Sequence, residues 1–357
     1  MKIRIFFTNY IDIDNFNAQS LNAREIALRL NPDLFQSTLF YERSPDPRLV
    51  NKPHIRLIKI PGRLGTLKIF AEFFQGHDII FRANLIRFTY LYLLLPRFLR
   101  RGSKIVEWFE APSVEHLVWE PHYLEILYKL VISRVPDRIA MTEFTAESQF
   151  QYYGFNSNGL IPVGVDTQLF VPPPQRDNKV PVVLFVGTLI ERKGPHLVLL
   201  AAHLFPQVKF ILVGAKRGAF HMVLQQLMKK WDLRNVEFVD PMPHSQLVGL
   251  MQRCDILLHP SETESIGKVI IEVGASGMPA LMFDRYRSPA VLDGVTGFQV
   301  KNMEQMLDRL NLLLEDKELR QRMGNAAIDY ARKFDWTIIT KKWEMEFLKL
   351  VEKQEDR

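Results

Sequence analysis

A chain of 357 residues exceeds what one ordinary hydrophobic core organises, and its 47 % apolar and 24 % charged content excludes a disordered or fibrous polymer, so two domains of about 150 to 180 residues are expected. The formal charge of +6 is unevenly spread: residues 52–104 hold eleven Lys or Arg against Glu72 and Asp78, whereas residues 107–147 hold eight acids against three bases. The longest apolar run, 88–95 between Arg87 and Arg97, falls far short of the ~20 residues that span a bilayer, and a single cysteine, Cys254, excludes an internal disulfide.

The opening Lys2-Ile3-Arg4-Ile5-Phe6-Phe7 is a strand pattern, not the charged segment and long apolar run of a secretory leader, so export is not expected. Strands are predicted over 3–7, 37–41, 55–60, 78–81 and 104–109, with a helix over 18–30. A helix over 123–135, a strand over 138–141, a helix over 145–153 and a strand over 159–161 follow. Strands alternating with helical segments predict a doubly wound, Rossmann-like α/β domain with a parallel sheet. Residues 171–180 contain Pro172-Pro173-Pro174 and then polar residues, which suits a stiff connector.

A second α/β series is read from strands over 182–186, 208–213, 236–239 and 256–259, with helices over 194–204, 219–231, 245–252 and 267–275. Its period of about 20 to 30 residues per unit fits another Rossmann-like domain and not a solenoid. The remaining 55 or so residues read as helices over 303–314, 317–334 and 336–352, with Asp335 as a candidate N-cap and Gly324 as a weak point. The expected division is 1–170, a linker over 171–180, 181–334, and a last helix over 335–357 that packs back on the first domain. Cys254 lies in an apolar stretch and reads as a buried thiol of a reducing compartment, not a nucleophile.

The basic stretch is interleaved with Phe70, Phe73, Phe74, Phe88, Tyr90 and Tyr92. It suits an anionic membrane surface or an acidic acceptor, and equally a solvated basic face over core aromatics. No nucleic-acid motif accompanies it, so nucleic acid is not an expected partner.

In an open α/β sheet, ligands bind beyond the carboxyl ends of the strands, where helix N-termini offer free N–H groups and partial positive charge. Two loops of the second series are placed there. Gly187-Thr188-Leu189-Ile190-Glu191-Arg192-Lys193-Gly194 combines a glycine that permits close backbone approach with two cations able to neutralise a diphosphate. Pro260-Ser261-Glu262-Thr263-Glu264-Ser265-Ile266-Gly267-Lys268 leads into a helix carrying Glu272. Glu264 and Glu272 would lie at most ~12 Å apart along the axis, about the span of a sugar and a ribose joined by a diphosphate. Glu272 sits among Val269, Ile270, Ile271 and Val273, so its carboxylate is expected near a buried face and in need of a partner, although two solvated glutamates would also satisfy the pattern.

These two loops, the seven-residue gap between Glu264 and Glu272, Gly277-Met278-Pro279 beyond it, Phe210 to Gly214 as a strand ending in glycine, and Asp293-Gly294-Val295-Thr296-Gly297-Phe298 resemble the retaining glycosyltransferases of family 4. Ile161-Pro162-Val163-Gly164-Val165-Asp166 and Phe170 agree more loosely. The resemblance covers most of residues 100–345.

It implies the GT-B fold, two Rossmann-like doubly wound domains facing a cleft, with the C-terminal helices crossing back. The activity it implies is transfer of a hexosyl-type sugar from a UDP- or GDP-sugar to a glycan or lipid-linked acceptor, with retention of configuration. Arg192 and Lys193 would neutralise the diphosphate, and Glu264 would lie by the donor sugar. Gly187, Thr188, Ser265, Ile266 and Gly267 would line the donor, and Glu272 would hold the ribose. Neither metal nor other cofactor is implied. A cytoplasmic protein of polysaccharide biosynthesis, peripheral at the inner face of the cell membrane, is the expected setting.

The chain departs from the family pattern in three places. Thr188 stands where an arginine is common. Thr8-Asn9-Tyr10-Ile11-Asp12 replaces a glycine-rich loop, which makes Asn9 an acceptor-side candidate. The usual histidine after the strand ending near Phe109 is missing, leaving Glu110 as a candidate catalytic group and His116 as a candidate acceptor contact. Two other readings stay open: a nucleotide-sugar epimerase of the same fold, and a catalytically idle nucleotide-sugar-binding protein.

Overall fold

The computed structural model describes residues 2–12, 18–60, 62, 65–82, 92–95, 103–112, 129–130, 132–176 and 178–355. The expected helix over 123–135 lies for the most part outside the described residues, as do Arg87, Phe88, Tyr90, Arg97 and His116. The chain divides into two compact units, Met1–Gly164 with Trp336–Arg357, and Val165–Asp335.

The first unit is built on a parallel sheet of order β3-β2-β1-β4-β5-β6-β7. Its strands are β1 (Ile3–Tyr10), β2 (Phe35–Tyr41), β3 (Ile55–Lys59), β4 (Ile79–Arg82), β5 (Lys104–Phe109), β6 (Asp137–Ala140) and β7 (Gly159–Leu160). Helices α1 (Ala18–Arg29), α2 (Gly65–Glu72) and α3 (Glu143–Tyr153) belong to it. On one side of the sheet, Phe6, Phe40, Ile60, Ile69, Phe73, Ile80 and Tyr92 form a buried cluster, with Phe74 packed against it. The described aromatics of the basic stretch therefore fold inward. Of its cations, Arg82 is wholly buried and Arg56 pairs with Glu72 at 2.6 Å.

The second unit carries six parallel strands in the order β10-β9-β8-β11-β12-β13. They are β8 (Val182–Val186), β9 (Lys209–Val213), β10 (Val236–Val239), β11 (Ile256–His259), β12 (Ala280–Phe283) and β13 (Gly297–Val300). The helices are α4 (Pro195–Leu204), α5 (Phe220–Lys230), α6 (His244–Met251), α7 (Lys268–Ala275), α8 (Met303–Glu315) and α9 (Lys317–Ala331). Both sheets are thus doubly wound, and each reverses its strand order once, in the second unit between β8 and β11.

Residues 165–170 and the three prolines that follow lie inside the second unit, so the division falls ahead of the stretch expected to connect the domains. The reason is a bridge between Val165 and Asp335, with Asp335 accepting from the Thr167 N–H at 3.3 Å and from its hydroxyl. The last helix, α10 (Trp336–Glu355), belongs to the first unit: Trp343 packs edge-on to Phe81 and Trp108, and Phe347 meets Phe35. Gly324 is no weak point, because α9 runs through it unbroken, and a Cβ there would overlap the Gly277 carbonyl. It lets α9 lie close to the end of α7.

Candidate donor site

The strand-order reversal places the loops after β8 and β11 side by side, at the switch point where doubly wound sheets bind ligands. Their backbones are locked together. The Arg192 carbonyl accepts the Glu262 N–H at 2.9 Å, and the Arg192 guanidinium donates to the Thr263 carbonyl at 2.5 Å. Gly194 takes φ of +72°, and a Cβ on it would overlap the Pro260 carbonyl, so glycine is required both for its conformation and for the approach of the two loops. Gly187 donates its N–H to the Val213 carbonyl at 2.9 Å, and its own carbonyl lies where a Cβ on Gly214 would fall.

This locking brings Lys193 onto Glu264. The Lys193 ammonium pairs with Glu264 Oε1, and His259 Nε2 stands 3.2 Å from the same oxygen. Burial alone would raise the Glu264 carboxyl, but the charge of Lys193 and the bond to His259 outweigh it and hold the group far below the usual carboxylate range. His259, at the carboxyl end of β11, is the carboxylate's second partner.

Gly267, with φ of +71°, sets the entry into α7, and Ile266 and Ser265 are buried beside it. Thr188 is half-buried in the first loop. Within α7, Glu272 is only 3 % exposed, and its Oε1 has no hydrogen-bond partner among the described residues, with His244 Nε2 at 3.8 Å. A buried carboxylate oxygen left without a donor is the feature that a ligand hydroxyl would complete. The expectation of a buried face at Glu272 is met, and the solvated alternative is not.

The first-unit candidates belong to the chain's other sheet. Asn9, near the end of β1, is 2 % exposed, with both amide atoms lacking hydrogen-bond partners among the described residues. Glu110 follows β5 and is half-buried. An ion pair that sequence reading missed joins Arg82 Nε to Glu107 Oε2 at 3.1 Å, and burial, opposed by Arg82, pushes the Glu107 carboxyl up to about 7. Cys254 is fully buried, and burial raises its thiol to about 12, as suits an inert core residue. Among the described residues, no group of three or more His, Cys, Asp or Glu side chains is arranged to hold a metal ion, and no helix is long and apolar enough to cross a membrane.

Residues 166–330 match the family model of glycosyl transferases group 1. The D-inositol 3-phosphate glycosyltransferase of Corynebacterium diphtheriae is 33 % identical over 212 residues, spanning 53 % of this chain and 50 % of that protein. The enzyme of the same name from Nocardia farcinica is 31 % identical over 240 residues, spanning 61 % and 53 %. The chain thus spans about half the length of the curated relatives it matches. Among solved structures, the sucrose-phosphate synthase of Thermosynechococcus elongatus superposes with a TM-score of 0.80 at 18 % identity, covering 98 % of this chain and 99 % of that one. Anabaena HepE in complex with UDP and glucose superposes with a TM-score of 0.78 at 22 % identity, covering 97 % and 100 %.

Proposed function

We propose that the protein, whose residues 166–330 match the family model of glycosyl transferases group 1 in a chain of GT-B fold, transfers a sugar from a nucleoside-diphosphate sugar to a glycan or lipid-linked acceptor, with retention of configuration. The observation that carries this reading is the Lys193–Glu264 pair at the sheet's switch point, followed along the chain by a helix with the orphaned Glu272 oxygen.

Glu272 accepts hydrogen bonds from the ribose, and the amide groups at the start of α7 face the diphosphate. Lys193 takes up charge that grows on the departing nucleoside diphosphate, which is where fixed positive charge lowers a barrier most. Arg192 holds the two loops in register, so that Lys193 and the α7 amides converge. Glu264 accepts from hydroxyls of the transferred sugar. Gly187 lets the backbone beside Thr188 approach the phosphates. No metal is needed in this scheme, because Lys193 and the amides supply the compensation.

HepE was solved in complex with UDP, and on that likeness uridine is the base proposed here. The acceptor side draws on the first unit, with Asn9, Glu110 and His116 as candidates. A lipid-linked acceptor would hold the protein at the anionic cytoplasmic face of the membrane, which the basic stretch over 52–104 suits.

Thermal unfolding with UDP, GDP and ADP tests the donor site. One of them is expected to stabilise the wild-type protein, and Lys193→Ala and Glu272→Ala are each expected to remove most of that stabilisation. Full retention in both variants would overturn the assignment.

A further inference from the structure

The loop after β12 brings one more polar group to the donor loops. Tyr286 ends a short 3-10 turn, Asp284–Tyr286, and is 0 % exposed, yet its hydroxyl has no hydrogen-bond partner among the described residues. A buried hydroxyl without a partner is costly, and a phenylalanine would fill the same volume without that cost. Packing alone therefore does not account for a tyrosine here.

Several contacts fix the turn against the loop that carries Glu264. Arg285 pairs with Glu262, and the Ser288 hydroxyl donates to the Ile266 carbonyl at 2.5 Å. Gln299 donates to the carbonyls of Ser288 at 3.3 Å and Val291 at 2.8 Å. Arg287 takes a left-handed φ of +42°, unusual for a residue with a side chain, and its N–H closes the turn on the Asp284 carbonyl at 2.9 Å. The neighbours of Tyr286 in the chain, Arg285 and Ser288, thus hold Glu262 and Ile266 on either side of Glu264, and burial first, and then the charge of Glu264, push the phenol well above its usual value.

In the free protein Glu264 has Lys193 and His259 as partners. A bound diphosphate competes for Lys193, and Glu264 then loses its strongest one. Resting on the donor-site reading above, we infer that Tyr286 is a positioning residue for the transfer reaction: when the donor diphosphate draws Lys193 away, the Tyr286 hydroxyl donates to Glu264 from its buried side and keeps that carboxylate aimed at the donor sugar. The phenol suits this role because it is enclosed and needs no access from solvent. Its missing partner in the free state is the reverse side of the same exchange.

The test is Tyr286→Phe in the full chain, alone and combined with Glu264→Gln, with UDP or GDP as the probe, whichever the wild type binds. Tyr286→Phe is expected to leave the melting temperature of the free protein unchanged or slightly raised and to weaken nucleoside-diphosphate binding about tenfold, the usual scale for a hydrogen bond to a charged group. In the Glu264→Gln background the same change is expected to have little effect on binding. A free-protein melting temperature that falls, with affinity unchanged, would show a purely structural tyrosine and overturn the inference. Equal losses of affinity with and without Glu264 would also overturn it, because the hydroxyl would then act on something else. A wild-type protein that binds none of UDP, GDP and ADP would overturn the donor-site reading and this inference together, whereas wild-type binding that Tyr286→Phe leaves intact overturns the inference alone.

Discussion

His259 Nε2 stands 3.2 Å from Glu264 Oε1, the oxygen that Lys193 also holds, so one carboxylate oxygen gathers one partner from the end of β11 and one from the loop after the adjacent β8. Lys193, the cation proposed to meet the diphosphate, is thus already paired. Under that proposal, ligand binding is an exchange of partners and not the filling of a bare positive pocket.

Lys193→Met should expose what that exchange costs. It leaves Glu264 poorly solvated and without its ammonium partner, so the free protein is expected to lose about 2 kcal/mol of stability, while nucleoside-diphosphate affinity falls at least about tenfold. Adding Glu264→Gln should restore part of the stability but none of the affinity. Denaturant titration and calorimetry on the single and double variants check both.

Glu272 is assigned to the ribose, and its effect should depend on the nucleoside. Glu272→Ala is expected to weaken UDP or GDP binding by roughly tenfold or more, and to leave the binding of inorganic pyrophosphate within about twofold of wild type. Equal loss for both probes would place the carboxylate at the phosphates instead.

Two glycines with positive φ separate conformational strain from steric overlap. Gly218, with φ of +62°, has nothing within 4 Å of an added Cβ, whereas one on Gly194 would overlap the Pro260 carbonyl. Gly218→Ala should cost about 1 kcal/mol, the left-handed penalty alone, and Gly194→Ala should cost more than about 2 kcal/mol and impair nucleotide binding, since it separates the two loops. Thermal unfolding with and without nucleotide distinguishes the two.

Glu107 gives the first unit a pH dependence of predictable sign. Its carboxyl is raised from 4.5 to about 7 by burial, against the opposing charge of Arg82, so the folded state holds a proton there that the unfolded chain releases. The stability it contributes is complete below about pH 4.5 and is lost as pH rises through about 7. Glu264, held low, acts in the opposite sense: its contribution is present above its ordinary value of 4.5 and is lost as pH falls. Glu107→Gln should flatten the fall in unfolding free energy between pH 5 and pH 7, roughly the interval between the two states' values, as followed by urea titration.

Local order in this chain was legible wherever one segment carried its own signal. Strands at 182–186, 236–239 and 256–259 were read to the residue because short β-branched runs ended at turn residues. The donor loops were legible for the same reason: Arg192-Lys193-Gly194 and Glu264 to Glu272 each place chemistry at a fixed offset from a strand end. By contrast, β12 and β13 were missed, since Ala280–Phe283 follows a proline directly and Gly297–Val300 begins inside a glycine turn; neither shows alternation of its own. The helix α2 was missed as well, its eight residues lying in a stretch whose basic and aromatic character dominated the reading.

The sequence by itself determined two α/β units, the carboxylate pair with its cations, and the resemblance those motifs carry, because each is written in contiguous residues. Only the tertiary structure decided that β8 and β11 are neighbours, and with that adjacency came the Lys193–Glu264 pair, the role of His259 and the fit of Gly194 against Pro260. The same holds for the orphaned Tyr286 hydroxyl and the buried Arg82–Glu107 pair. Burial and partnership are properties of groups that meet across 70 or more residues of chain in the case of Lys193 and Glu264, and no local pattern encodes which groups those will be.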